Sequence, residues 1–167
     1  MRKQDIRRLF DYNYWATWQL LTAMRQVSDD AFVASTDITW RSMRDTMVHT
    51  LDVEQSWRKR LQGLDRKEWD ASLPPEQFRR AEDVEAAWRS DAAATFAWLD
   101  ELDDDALAAE VDLGPKDRFP MWYFLVHIVT HGIEQRRDAA TLLRHAGHEA
   151  PELEFLWFAD SLATGSP

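Results

Sequence analysis

The stretch from Phe119 to Gly147, FPMWYFLVHIVTHGIEQRRDAATLLRHAG, most constrains what this chain can fold into. Trp122, Leu125, Val126, Val129, Ile133, Ala140, Leu142 and Leu143 recur mostly three and four residues apart, which lays an apolar stripe along one side of a helix. Pro120 falls in the expected first turn, where a missing N–H costs nothing. Gly147 falls just past the last periodic residue, where a left-handed cap is wanted. Within this helix His127, His131 and Gln135 follow one another at intervals of four. A helix turns about 100° and rises ~1.5 Å per residue, so the three form a column on nearly one face, roughly 6 Å apart.

The rest of the chain divides into similar pieces. A first helix is expected from about Arg2 to Arg25, with Ile6, Leu9, Phe10, Tyr14, Leu20, Leu21 and Met24 on its packing side. The aromatic run Phe10 to Ala16, followed by Trp18, reads mainly as a core-facing stripe. Ser28-Asp29-Asp30 starts a short turn or helix through Phe32, and Ala34 to Trp40 reads as a loop. A second long helix begins with Ser42 as N-cap and Asp45 three residues on, and ends near Gln62-Gly63. Its stripe is Met47, Val48, Leu51, Trp57 and Leu61, interrupted by the carboxylate of Glu54, and His49 lies close to the apolar side. Leu64 to Gln77, with Pro74-Pro75, is a polar connection and the segment expected to move most.

A third long helix is expected over Asp83 to Leu102, capped by Asp83 and burying Val84, Ala87, Trp88, Ala92, Thr95, Phe96 and Leu99. Asp103 to Gly114 reads as an acidic turn and a strand fragment at Glu110–Leu113. After the long helix, a short one from Glu152 to about Leu162 would cover one end of the core with Leu153, Leu156, Trp157 and Leu162. Residues 164–167 form an expected flexible tail. Four long amphipathic helices with polar connections predict an all-α four-helix bundle with long crossover connections and a short C-terminal helix, one domain over residues 1–163.

Composition narrows the function. The 167 residues, 45% hydrophobic and 30% charged, suit one soluble globular domain. With no cysteine there is no disulfide, no thiolate zinc site and no cysteine nucleophile. A net charge of −10 disfavours nucleic acid, and the basic clusters Arg58-Lys59-Arg60 and Arg136-Arg137 sit among acids on helices. No signal peptide and no run of 18 apolar residues is seen, so a cytoplasmic protein without a membrane partner is expected. Phosphate loops, GxSxG elbows and HExxH motifs are absent. Histidines at i and i+4 have metal-ligand spacing, because both rings reach one point in front of the helix. His49 is the only histidine on a different long helix at mid-bundle, whereas His145 and His148 lie near a helix end. The competing reading has His127 buried and hydrogen-bonded while His131 faces a polar pocket.

Three stretches resemble the DinB/YfiT-like family of metal-dependent enzymes, which are four-helix bundles. They are Tyr12-Asn13-Tyr14-Trp15-Ala16 with Leu20-Leu21, the segment Ser42 to His49 with Glu54 and Trp57 behind it, and Leu125 to Gly147, which is similar to HxxxHRGQ followed by a leucine-rich turn and glycine. Together they cover nearly the whole chain in the family's order. The resemblance implies metal ligands at His49, His131 and Gln135, the last standing where the family has its third histidine. Arg136 matches the following arginine, and Arg137 and Asp138 replace Gly-Gln. An amide oxygen is a poor ligand for zinc or nickel, so His127 or Glu134 could substitute, or the site could be empty.

What the resemblance implies is a divalent ion (zinc, nickel or manganese) acting as Lewis acid on a small-molecule substrate, with a low-molecular-weight thiol as a partner in transferase chemistry; a hydrolase is the other option. Trp57 and Trp122 could wall the pocket, although core packing is the stronger reading of both. Arg136 could hold an anionic group or pair with Glu54 or Glu134, and Asp45 or Glu54 could orient the ring of His49. The contrasting expectation is a bundle that has lost its metal and serves as a binding or interaction protein. In either case a homodimer is expected.

Overall fold

The computed structural model describes residues 1–165. Ser166 and Pro167, half of the expected tail, lie outside the described residues. The helices run in the order α1 (Lys3–Met24), α2 (Asp29–Val33), α3 (Met43–Leu61), α4 (Arg66–Trp69), α5 (Ala81–Glu101), α6 (Asp104–Ala108), α7 (Met121–His145) and α8 (Phe155–Thr164). A 3-10 turn covers Pro75–Gln77, and strands β1 (Glu110–Asp112) and β2 (Arg118–Pro120) pair antiparallel.

The long helices α1, α3, α5 and α7 form the bundle. α7 packs between α3 and α1, and α5 closes the ring on the other side. Helices α1 and α3 therefore face each other across one diagonal, and α5 and α7 across the other. The chain must cross the bundle twice, through residues 25–42 and 102–120, and these are the long crossover connections of the expected all-α fold. No helix among the described residues is long and apolar enough to span a membrane.

The helix ends follow local chemistry. Ser42 accepts a hydrogen bond from the Asp45 amide at 3.0 Å and starts α3 as its side chain predicts. α7 ends on Gly147 at φ +85, with the His148 amide donating to the Leu143 carbonyl and the Gly147 amide to that of Arg144. This is the six-to-one and five-to-two pairing that a left-handed glycine allows.

Several expectations need correction. Pro120 is not inside the helix; it ends β2 opposite Glu110, because Phe119 and Pro120 are held extended by the hairpin. Asp83 is the third residue of α5 rather than its cap, and its carboxylate accepts from the backbone amides of Arg79 and Arg80 at 3.0 Å each. The acidic turn contains the helix α6, started by Asp103 accepting from Ala106. The polar connection after α3 contains α4 and the 3-10 turn. It is tied down by Ser56 donating to the Trp69 carbonyl (2.6 Å) and Leu73 donating to Asp52 (2.9 Å). The last helix begins at Phe155, after the irregular residues 151–154, and runs through Thr164, so the first residue of the expected tail is helical. Of its apolar residues only Phe158 is buried, against Tyr12 and Trp15; Leu156, Trp157 and Leu162 are exposed and do not cover the core. Ile133 is exposed as well.

At the bundle centre the apolar core gives way to a polar cluster. Glu54 and Arg136 are 3% and 1% exposed, and Asn13 and Thr17 are fully buried. Arg136 donates through Nη1 to Asn13 Oδ1 (2.7 Å) and Thr17 Oγ1 (3.2 Å), while Asn13 Nδ2 donates to Glu54 Oε2 (3.1 Å). Tyr14 donates its hydroxyl proton to the other oxygen of Glu54. One amide on α1 thus links the guanidinium from α7 to the carboxyl group from α3. The Arg136 side chain folds back over its own helix, and a Cβ on Gly132 would lie 2.8 Å from Arg136 Nη1 and 2.9 Å from Asn13 Oδ1.

This contact decides the sign of a substitution. In an open helix Gly→Ala stabilises by up to about 1 kcal/mol. Here Gly132→Ala should destabilise by about 1–3 kcal/mol, since the new methyl displaces buried hydrogen bonds to a charged group. Urea unfolding of the two proteins measures it, and a stabilised variant would show that Arg136 can leave its place at no cost.

Candidate metal centre

α3 and α7 run in opposite directions side by side, so each residue that faces the seam on one meets a counterpart on the other. His49 meets His131, with ring centroids 5.4 Å apart and planes at 74°. Two imidazoles on one tetrahedral ion, each nitrogen about 2.0 Å from it, would have centroids about 5 Å apart. The pair therefore has the spacing of a shared point of coordination. Both rings are half-buried at the seam.

The other expected members are placed differently. Gln135 lies half-buried one turn beyond His131, and its Oε1 accepts from Arg41 Nη1 at 3.5 Å. His127 is exposed, 6.3 Å from His131 and packed edge-on against Trp57 at 5.3 Å, so it is not the buried, hydrogen-bonded histidine of the competing reading. Glu134 is exposed too. Among the described residues no three His, Asp or Glu side chains gather closely enough to hold an ion by themselves. The neutral amide of Gln135 is the remaining candidate for a third donor at this seam. Two imidazoles and an amide oxygen suit a loosely held divalent ion, with the rest of its shell left to water or substrate.

Residues from the neighbouring positions resolve into other roles. Arg136 points to the bundle centre and not into the seam, which removes it as an anion holder beside the histidines. Glu54 turns the same way and does not orient His49, and Asp45 is held by Arg44 Nε at 2.8 Å. Trp57 is half-buried against Phe124 and His127, and Trp122 packs at a tilt against Tyr123. Sequence reasoning missed Arg41. It sits in an irregular loop with no periodic signal, has no carboxylate within 4 Å among the described residues, and lies 3.8 Å over the ring of Trp40, which is 81% exposed.

The family model of DinB matches residues 1–165. The chain belongs to the DinB family. No curated protein matches it. In this DinB-family chain the three resembling stretches come together in space: the aromatic α1 segment supplies Asn13 and Tyr14 to the core cluster, and α3 and α7 present the two imidazoles.

The electrostatics of the seam keep both imidazoles neutral near pH 7. Burial, then His49, His127 and the guanidiniums of Arg41 and Arg136, lowers His131 to about 4. Burial and Arg41 lower His49, with Asp52 pulling weakly the other way. A neutral imidazole has the lone pair a metal needs. At the bundle centre the shift is opposite. Burial raises Glu54 to about 7, helped by Asp91 and resisted by the hydrogen bonds from Tyr14 and Asn13 and by Arg136.

These shifts set a pH dependence with a definite sign. Folded Glu54 holds its proton up to about pH 7, whereas the unfolded carboxyl releases it near 4.5. Its contribution is present below 4.5 and lost as the pH rises through 7. Folded His131 stays neutral down to about 4, against 6.5 when unfolded, so its contribution is present above 6.5 and lost as the pH falls through 4. Between pH 4.5 and 6.5 the two oppose each other. Replacing Glu54 by Gln should leave a variant that gains on the wild type as pH rises from 4.5 to 7, on the order of 1.4 kcal/mol per pH unit, and follows it in parallel above 7. Urea midpoints measured across that range check it, and a constant difference would place Glu54 as ionised throughout.

Proposed function

We propose that this DinB-family protein binds a divalent transition metal (zinc, nickel or manganese) at the seam of α3 and α7. His49 and His131 are the ligands, and Gln135 is a weak third donor. The observation that carries the reading is the convergence of two neutral imidazoles, from different helices, at the spacing of a common ion. An ion held by so few protein donors keeps positions free, and when bound it supplies Lewis acidity to a substrate oxygen, a water or a thiol. A small molecule is accordingly the substrate, and transfer to or from a low-molecular-weight thiol, or hydrolysis, is the reaction class. The chain's own residues keep the imidazoles unprotonated and partly shield them from solvent. We place the protein in the cytoplasm, without nucleic-acid partners, as a homodimer whose exposed Leu156, Trp157 and Leu162 suit a second copy. Sedimentation of Trp157→Glu as a monomer beside a dimeric wild type supports that assembly, and a monomeric wild type removes it.

One observation favours the metal-free alternative, a bundle that binds partners without catalysis. The Arg41 guanidinium donates to the Gln135 oxygen that a metal would need, and its positive charge opposes a cation there.

Metal content decides between them. Protein without a polyhistidine tag, incubated with zinc, nickel or manganese and dialysed, should retain a stoichiometric ion, and His131→Ala should lose it. Gln135→His should tighten binding, because imidazole replaces an amide. A wild type that retains no metal leaves the binding-protein reading standing.

A further inference from the structure

One helical turn beyond His49 along α3, a pocket of about 200 Å³ opens between α3 and α4. It is lined by Val53, Ser56, Trp57, Arg60, Trp69 and Asp70. Two features mark it as more than a surface dent. Its walls include two half-buried tryptophans from different helices, and the guanidinium carbon of Arg60 lies 5.3 Å from the Trp57 ring centre and 5.1 Å from that of Trp69. Arg60 is itself anchored, donating to the Leu113 carbonyl at 2.7 Å and lying 3.5 Å from Asp117. The opening to solvent carries Asp70, already paired with Arg66 at 3.2 Å.

We propose that this pocket seats a planar aromatic ring carrying a short polar arm, and that it is the substrate subsite of the His49/His131 centre. Indole faces favour aromatic rings over puckered ones, and a guanidinium above the rings adds attraction to a π system. A cavity of about 150 Å³ is enough for benzene, so the space here takes one substituted ring. The placement supplies the rest. Val53 of the pocket wall is four residues from His49, roughly 6 Å along the same side of α3. Trp57 separates the pocket from His127, which stands in the same column as His131. An arm of a few atoms on the seated ring thus reaches the imidazole pair. The assignment as substrate subsite rests on the metal reading above; the preference for an aromatic ring does not.

The test separates the two. In metal-free protein, benzyl alcohol should bind about three- to tenfold more tightly than cyclohexylmethanol, with the largest amide and indole N–H shifts at Trp57 and Trp69. Trp69→Leu lies outside the core, so it should keep the fold by circular dichroism and erase the preference. His131→Ala should leave it intact. Equal affinity for the flat and puckered alcohols, shifts centred elsewhere, or a preference that survives Trp69→Leu overturns the aromatic pocket. In zinc-loaded protein, benzohydroxamate should bind at least tenfold more tightly than acetohydroxamate, and Trp69→Leu should abolish the difference. If zinc is retained but the two hydroxamates bind alike, the pocket is not a subsite of the centre. If none of zinc, nickel and manganese is retained and benzyl alcohol is still preferred, the metal reading and the subsite role fall together while the aromatic pocket stands.

Discussion

The structure depends on a charged side chain being held inside a helix bundle. Stripping water from a guanidinium costs several kcal/mol unless hydrogen bonds replace it, and removing one partner of such a group leaves the full penalty behind. Arg136 meets this in part, since Nη1 donates to Asn13 and Thr17 while the buried Nη2 has no hydrogen-bond partner among the described residues; the carboxyl of Glu54 meets it through Asn13 and Tyr14. Because the donors and acceptors come from α1, α3 and α7, the penalty is reduced only when those three helices are in one register. The cluster therefore specifies the arrangement more than it adds to stability.

That register also positions the seam. With about 100° per residue, Arg136 and His131 point some 140° apart on α7, so an arginine turned to α1 obliges the histidine to face α3. Gln135 lies about 40° from His131 and falls on the same side. Gly132 lets the arginine lie flat against its own helix; any side chain there would occupy the space of Nη1. Packing at the centre and chemistry at the seam are consequences of one rotational setting.

At the seam two tendencies compete. Burial and nearby guanidiniums keep the imidazoles unprotonated, which prepares them for a cation, yet the same guanidiniums make the site less hospitable to one. The neutral amide of Gln135 shifts this balance further, since its oxygen faces Arg41. The aromatic side of the seam, where Trp57 packs against both Phe124 and His127, carries no such conflict.

Periodicity in the sequence was enough to determine the four long helices, the Ser42 cap and the Gly147 stop. Those features depend on spacing along one helix or on the chemistry of one residue at a helix end, and both are local. The choice of His49, His131 and Gln135 as candidate ligands depended on a resemblance, since spacing alone offered His127 with His131. Only the tertiary structure decided that His127 and Glu134 face solvent, that Arg136 and Glu54 turn to the core, and that Arg41 reaches Gln135. It also held Phe119 and Pro120 in a strand and left the apolar side of α8 uncovered. Each of these depends on which helix lies beside which, and on burial that makes a charge costly or harmless. No property of an isolated segment records that neighbourhood.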